Sequence, residues 1–292
     1  MKRKKIRNNL HGYVYIMPSA ILLFLFVIIP ICMTFYYSMT KYTGFQLPEW
    51  IGFQNYHDAL SDIAIKASLK NTIIFTLVAV PLEVGISLLI SGILATNYRN
   101  RFGSFVRSTM FIPVLCSTTL VATIFSYLFG ADQNSLVNSL LELLGIGKVN
   151  WLGSEKTALG VLIFVQTWKS VGYYLVIFYA AIMDIPTSLY EAAAIDGASK
   201  WQQFFRITIP NMKSVIFMVI TICTIWSFQF FDLAYNMTGG GPGYCTTSLV
   251  YQLYLQGFRA FNFGYASAIA VILFVLILLI NLIQSVVMKD ED

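Results

Sequence analysis

The stretch SLYEAAAIDGASKWQQFFRITIP, residues 188–210, is an island of polar and small residues in a chain that is otherwise largely apolar. Of the 292 residues, 57% are hydrophobic and only 11% are charged, whereas a typical soluble domain has about 25% charged residues. This composition excludes an ordinary cytosolic enzyme. It favours a membrane protein in which residues 188–210 lie on an aqueous face between two spans.

Long runs with few or no charges predict six transmembrane helices, because about 20 consecutive apolar residues cross a bilayer. The predicted fold class is therefore all-α, a polytopic membrane protein with six spans. Three of the runs carry a single charge each, namely Glu83, Lys169 and Asp232. The spans are predicted at about 14–38, 71–95, 108–129, 158–183, 214–237 and 265–287, with a kink at Pro113 in the third.

The distribution of basic residues predicts the orientation, because cytoplasmic loops keep an excess of Lys and Arg. Placing the N-terminus inside puts most of the 19 Lys and Arg residues on the cytoplasmic side, including the basic segment 1–13. Both termini, including residues 289–292, are then cytoplasmic, as is the loop 184–213. The six-span domain covers residues 14–288. The net charge of +5 is explained by topology and calls for no nucleic acid.

Two helix starts are predicted within the loop. Ser188 with Glu191, and Ser199 with Gln202, each have the spacing of a capping box, in which a hydroxyl and a longer side chain satisfy the first backbone N–H groups. Between them, Gly197 admits the positive φ that ends a helix. Trp201, Phe204 and Phe205 follow as an apolar ridge. On these grounds alone the loop either rests on the lipid headgroups or transmits force to a soluble partner.

The spacing of this loop resembles the EAA loop of permease subunits in binding-protein-dependent ABC importers. The matching residues are Glu191-Ala192-Ala193, then Gly197, Ile207 and Ile209-Pro210, although Ile209 stands where the family usually has Leu. The resemblance implies an ABC importer type I permease fold in the bacterial inner membrane, and a coupling loop seated in a cleft of a separate ATP-binding subunit. The coupling residues would be Glu191, Ala192, Ala193, Asp196, Gly197, Trp201, Phe204, Ile207 and Pro210.

Further stretches, among them IGFQNY (51–56) and MTGGGPGYCTTS (237–248), resemble the first, maltose-F-like subunit of carbohydrate permeases. The resemblance implies a second homologous permease, a dimer of ATP-binding subunits that holds ATP and Mg, and an extracytoplasmic sugar-binding protein. It places Gly239, Gly240, Gly241 and Pro242 near that binding protein. Taken as residues alone, these glycines are a flexible external hinge or a simple turn.

A solute site is predicted on spans four and five. Lys169 and Tyr173 lie one helical turn apart, as do Trp226 and Phe230, with Ser227 beside them. Aromatic faces and polar groups together suit a sugar, and the resembling family holds its sugar at these positions. The alternative is that Trp226 and Phe230 pack against lipid or the partner, while Lys169 extends to the interface. Glu83 and Asp232 either line the pathway or make interhelical hydrogen bonds with a Ser or Tyr.

No catalytic apparatus is visible in the sequence. It contains neither GxxxxGK[ST] nor HExxH, so ATP hydrolysis is assigned to a partner and the chain is predicted to bind no cofactor or metal itself. The four cysteines show no metal spacing. Three alternatives stay open: an ABC permease for a non-sugar solute, a proton-coupled secondary transporter that uses Glu83, Lys169 and Asp232, and a structural or assembly membrane protein.

Overall fold

The computed structural model describes residues 15–130 and 135–287; the predicted basic segment 1–13 and the C-terminal segment 289–292 lie outside them. Within the described part the only strands are β1 (Thr40–Lys41) and β2 (Glu49–Trp50), so the predicted all-α class is confirmed. The helices are α1 Tyr15–Ser38, α2 Gln54–Ser61, α3 Ile63–Asn97, α4 Arg101–Leu115, α5 Thr118–Leu128, α6 Leu136–Leu143, α7 Ala158–Met183, α8 Thr187–Ile195, α9 Lys200–Asn211, α10 Lys213–Phe228, α11 Leu249–Tyr254 and α12 Phe263–Val287.

Four of the described helices, α1, α3, α7 and α12, are long and apolar enough to cross a membrane. Two further pairs meet the same test together but are bent, α4 with α5 by 97° and α9 with α10 by 73°. The predicted number of six is reached if each bent pair forms one span. Two predicted spans are interrupted: the third breaks at Cys116 and Ser117, and the fifth breaks at 229–231 before helical turns resume and reach Thr238.

The break between α4 and α5 lies just after Pro113. Proline has no N–H to continue the helical ladder, and the Cys116 N–H bonds to the Pro113 carbonyl at 3.2 Å, which tightens the last turn. Cys116 and Ser117 then adopt ψ values of 140° and 135°, and the new helix begins at Thr118. The predicted proline kink is therefore a complete interruption of the helix three residues later.

One compact unit comprises the described residues up to Asp62 together with Leu253–Phe274. Here the short hairpin pairs Thr40 with Trp50. The buried Asn55 amide donates to the carbonyls of Ser38 and Thr40, both at 2.9 Å. This amide fixes the end of α1 against the first turns of α2.

The second unit comprises Ile63–Gln252 and the residues from Val275 onward. Its longest helix, α3, buries a stripe of small and polar side chains three to four residues apart and exposes large aliphatic ones, the reverse of a soluble helix. Small residues let helices in a membrane approach closely. The buried stripe includes Ser68, Thr72, Thr76, Ala79, Glu83, Ser87 and Ser91; the exposed side includes Leu77, Val78, Leu82, Ile86 and Leu89.

Helix α3 packs along α7, α4 crosses α7, and α10 packs on α3. A hydrogen bond of 2.9 Å from Ser87 Oγ to the Val171 carbonyl joins α3 to α7. Gly172 allows the α4 crossing, because a Cβ there would overlap the Met110 carbonyl. At one end of this packing the rings of Phe75 and Phe230 stack with centroids 4.1 Å apart. These contacts hold the chain segments that surround the candidate site.

Candidate functional site

A cavity of about 430 Å³ lies among α4, α5, α7 and the end of α10. Four side chains on one face of α7 form one wall, because residues three and four apart on a helix share a side. The chain just after α10 forms the opposite wall. The lining residues are Val114, Thr118, Gln166, Lys169, Ser170, Tyr173, Trp226, Gln229, Phe230, Phe231, Asp232 and Leu233.

Four of the five predicted pathway residues line this cavity: Lys169, Tyr173, Trp226 and Phe230. The rings of Tyr173 and Trp226 have centroids 5.4 Å apart at an angle of 40°. They present one continuous aromatic surface from two different helices. Ser227 does not line the cavity: it is 1% exposed, and its Oγ has no hydrogen-bond partner.

Two opposite charges share the cavity. Lys169 and Asp232 both line it, and among the described residues no ion pair within 4.0 Å joins them. The sequence allows Asp232 either a pathway or a structural role, and the structure places it on the wall. Gln166, Ser170 and Gln229 also line the wall and were not predicted.

The polypeptide leaves helical geometry where it forms the cavity wall. Helix α10 ends at Phe228, residues 229–231 are not helical, and helical geometry resumes at Asp232 and continues as a π-helical turn at Ala234–Thr238. The Phe230 carbonyl accepts a hydrogen bond of 2.6 Å from Ser248 Oγ. Irregular backbone at membrane depth is tolerated where it lines a cavity or is buried in protein, and both conditions hold here.

Glu83 lies behind the cavity and is 1% exposed. The Cys223 thiol of α10 donates to Glu83 Oε2 at 2.8 Å, while Oε1 has no hydrogen-bond partner. The interhelical bond predicted for Glu83 is therefore present, but its partner is a Cys rather than a Ser or Tyr. Among the described residues, no group of three His, Cys, Asp or Glu side chains could hold a metal ion.

The predicted coupling loop contains two helices, α8 and α9, separated by Gly197 at φ +79°. The capping box of Ser199 and Gln202 is present, with bonds of 3.3 and 2.7 Å. The box predicted at Ser188 is wrong: α8 begins at Thr187 after an N-cap at Pro186, with no side-chain cap. Glu191, Ala192, Asp196 and Pro210 are exposed, and Ala193 and Ile207 are partly exposed.

The two loop helices are tied together by buried polar contacts that sequence reasoning missed. Tyr190 Oη and Thr208 Oγ1 lie 2.9 Å apart, and the buried Gln203 amide donates to the Tyr190 and Ala198 carbonyls at 3.5 and 3.3 Å. The predicted ridge is confirmed as a cluster of ring contacts among Trp201, Phe204 and Phe205. Trp201 and Phe205 stay exposed, so the ridge has a free outer surface.

The glycine-rich segment is a packed turn rather than a free hinge. Gly239, Gly240 and Gly243 have positive φ, and the Gly241-Pro242 peptide is cis. Asn71 of α3 donates to the carbonyls of Tyr244 and Thr247 at 2.7 and 3.0 Å. The Tyr251 hydroxyl donates to the Gly239 carbonyl at 3.0 Å. Asn71 thus fixes the segment 239–248 to the N-terminal part of α3, and Tyr251 holds its first residue.

Comparison with known proteins gives a consistent result. Residues 87–290 match the family described as binding-protein-dependent transport system inner membrane component. The chain is 34% identical over 282 residues to a probable ABC transporter permease protein of Bacillus subtilis, YurN, covering 95% of this chain and 96% of that one. It is also 34% identical over 279 residues to the trehalose/maltose transport system permease protein MalF of Thermococcus litoralis, covering 94% and 92%.

A solved bacterial ABC transporter involved in the import of the acidic polysaccharide alginate has a chain with the same fold. Its TM-score is 0.82 at 23% identity, with 98% of this chain and 97% of that chain covered. The family model covers more than half of the chain, and both relatives align over nearly their full length. The protein therefore belongs to the family of inner-membrane components of binding-protein-dependent transport systems.

Proposed function

We propose that this chain is the permease subunit through which an ATP-driven importer moves a sugar or oligosaccharide across the bacterial inner membrane. The observation that carries the proposal is the cavity that joins Tyr173 and Trp226 to Lys169 and Asp232. A relative at 34% identity is named for trehalose and maltose transport. Both termini and the loop 184–213 are placed on the cytoplasmic side in this proposal.

The chemistry of the cavity suits a carbohydrate. Its volume of about 430 Å³ falls in the range of roughly 300–1,000 Å³ typical of small-molecule sites. The paired rings offer an apolar face to the C–H surface of a sugar ring, and Gln166, Ser170 and Gln229 offer donors and acceptors to its hydroxyl groups. A solute so held would be passed between the two sides of the membrane by alternating access.

The energy for transport would come from a partner. This chain has no phosphate-binding motif, so ATP and Mg would be bound by a dimer of separate ATP-binding subunits. The exposed ridge around Trp201 and Phe205, rigidly capped by Ser199, would be the surface on which that subunit acts. A second homologous permease would complete the pathway. A sugar-binding protein would deliver the solute on the side of residues 239–248, and membrane lipid would cover the exposed aliphatic faces.

The test is a matched pair of tryptophan variants in the purified complex. Trp226→Ala removes an aromatic ring from the cavity wall. Trp168→Ala is the control, because the Trp168 ring does not line the cavity and packs on Phe125 with centroids 5.1 Å apart. Solute-stimulated ATPase activity and uptake are measured over a panel of mono- and oligosaccharides, and assembly is followed by size-exclusion chromatography. Trp226→Ala should weaken stimulation and leave assembly intact. Equal loss of both would return Trp226 to a packing role.

A charged, non-sugar solute is the second candidate, favoured by Lys169 and Asp232 in one cavity. Amino acids and peptides in the same panel discriminate it, because they would then stimulate ATPase activity and the sugars would not. A proton-coupled transporter is discriminated by removing the ATP-binding subunits. Uptake that continues without them would contradict the importer.

A further inference from the structure

We propose that an anionic phospholipid binds in the crevice between the end of α3 and the start of α9. The crevice has a volume of about 120 Å³ and lies on the α3 side of the aromatic ridge. It is separate from the solute cavity, because none of its lining residues lines that cavity. The inference uses the orientation given in the proposed function and is independent of the solute.

One wall of the crevice is a face of α3 whose polarity changes along the helix. Leu89, Ile93 and Asn97 line it at intervals of four residues, so they share one side of the helix and span about 12 Å. Asn97 is the last residue of α3. In the proposed orientation the two aliphatic side chains lie toward the bilayer, and the amide lies at its cytoplasmic surface. A phospholipid has the same order of apolar and polar groups.

The other wall is the start of α9, which supplies a positive charge and an aromatic ring. Lys200 and Trp201 line the crevice and are exposed, and Phe204 lies one turn further along. Among the described residues no ion pair within 4.0 Å involves Lys200. Trp and Lys are side chains that anchor a helix at the membrane interface. The Lys200 ammonium is therefore available to a group from outside the chain.

The chain around both walls is cationic. Residues 84–131 and 197–231 contain no Asp or Glu. The same two segments contain six basic residues, namely Arg99, Arg101, Arg107, Lys200, Arg206 and Lys213. The cytoplasmic leaflet carries anionic lipids, and clusters of Lys and Arg beside it attract them. Charge complementarity therefore favours an anionic headgroup over a zwitterionic one.

The size of the crevice favours one segment of an amphiphile over a free solute. Its volume of about 120 Å³ is below the roughly 300–1,000 Å³ typical of small-molecule sites. Leu89 and Ile93 are 44% and 45% exposed, so this wall is open to the surroundings. The acyl chains would lie along Leu89 and Ile93. The headgroup would accept hydrogen bonds from the Lys200 ammonium and the Asn97 amide.

The experiment measures quenching of Trp201 fluorescence by brominated lipids. The complete complex is placed in phosphatidylcholine nanodiscs with increasing fractions of brominated phosphatidylglycerol or brominated phosphatidylcholine. The contribution of Trp201 is the difference between the wild type and Trp201→Phe. Half-maximal quenching should require about fivefold less phosphatidylglycerol than phosphatidylcholine, the effect of one Lys at an anionic surface.

Three variants, each made with and without Trp201→Phe, assign this preference to the crevice. Lys200→Gln should abolish it, and Lys200→Arg should keep it. Arg206→Gln is the matched control, because Arg206 is an exposed cation on the same helix that does not line the crevice. This variant should keep the preference. Both positions are exposed, so neither loss of charge should unfold the protein.

Equal quenching by the two lipids would overturn the inference, as would equal effects of Lys200→Gln and Arg206→Gln. Absence of quenching by either lipid would also overturn it and would indicate that protein, such as the ATP-binding subunit, covers the crevice. Failure of the proposed function is distinguishable, because the measurement uses no solute. A preference for phosphatidylglycerol in a complex that transports no sugar would support the lipid site and contradict the proposed function.

Discussion

The ring of Phe204, on α9, occupies the space where a side chain on Gly92 of α3 would stand. A Cβ on Gly92 would lie 2.9 Å from Phe204 Cδ2 and overlap Cε2. The inner edge of the aromatic ridge is therefore seated directly on the backbone of α3, while Trp201 and Phe205 remain exposed. This contact attaches the proposed coupling loop to α3, the longest helix of the second unit.

Gly92→Ala should reduce solute-stimulated ATPase activity severalfold, because the new methyl group displaces the Phe204 ring. The substitution favours the helix itself by roughly 0.5–1 kcal/mol, so any loss is not a loss of helix. Gly85→Ala is the matched control on the same helix, since nothing lies within 4 Å of a Cβ there. The ratio of stimulated to basal ATPase activity measures coupling. Equal behaviour of the two variants would contradict a role for this contact.

Gly197→Asp should abolish coupled transport while the protein still inserts. Gly197 has φ +79°, and a Cβ at this position would meet nothing within 4 Å. The cost of the substitution is therefore backbone strain, on the order of 1–2 kcal/mol. Relief of this strain would change the direction in which α9 leaves the turn. Gly145→Asp carries the same strain at φ +74°, also in open space, outside the coupling loop. Uptake by vesicles of matched protein content is the measurement. Wild-type uptake in Gly197→Asp would argue against the loop as a lever.

Gly172→Leu should destabilise the folded protein, because any side chain at this position meets the Met110 carbonyl of α4. Backbone cannot move aside as a side chain can, so α4 and α7 would have to separate, at a cost of several kcal/mol. Gly160→Leu adds the same atoms on the same helix and is the control, because nothing lies within 4 Å of a Cβ there. Thermal aggregation in detergent should show a lower midpoint for Gly172→Leu alone.

The thiol of Cys245 should react slowly with alkylating reagents near neutral pH. Burial, with the nearby Glu155 carboxylate as the second cause, raises its pKa above the ordinary value. A higher pKa leaves less of the reactive thiolate at a given pH. The alkylation rate of Cys245 should therefore rise at a higher pH than that of an exposed cysteine. Glu155→Gln removes one cause and should speed the reaction.

Mass spectrometry of the peptide that contains Cys245 gives the alkylation rate. A cysteine introduced by Lys156→Cys is the exposed reference, on the same predicted side of the membrane. If Glu155→Gln left the rate unchanged, the carboxylate would have no influence on this thiol. Protection of Cys245 by an added binding protein would independently support the proposed docking side.

The sequence predicted the helical class and four of the residues that line the cavity, because both depend on local periodicity. Lys169 and Tyr173 are a helical turn apart, and the same rule extends to Gln166 and Ser170, which could have been found by following that face of α7 in both directions. Gln229 follows Trp226 by three positions and could have been found by the same rule, although it lies just after the end of α10.

The errors come from backbone features that short motifs do not encode. Ser188 has the spacing of a capping box, but Pro186 is the N-cap of α8 and places Ser188 at the second helical position. The turn at 239–248 looks like a free hinge because its support comes from Asn71, more than 170 residues away in the chain. Ser227 adjoins Trp226 in sequence and faces the packed interior instead of the cavity.

Helix α3 carries Asn71, which holds the glycine-rich turn, and Gly92, on which Phe204 is seated. These residues are 21 positions apart, about 32 Å along a helix, close to the roughly 30 Å thickness of the hydrocarbon layer. In the proposed orientation, one continuous helix with Pro81 near its midpoint would join the glycine-rich turn to the proposed coupling loop. A tilt of this helix would displace its two ends in opposite directions, so a change at one side of the bilayer would reach the other without a relay through flexible connections.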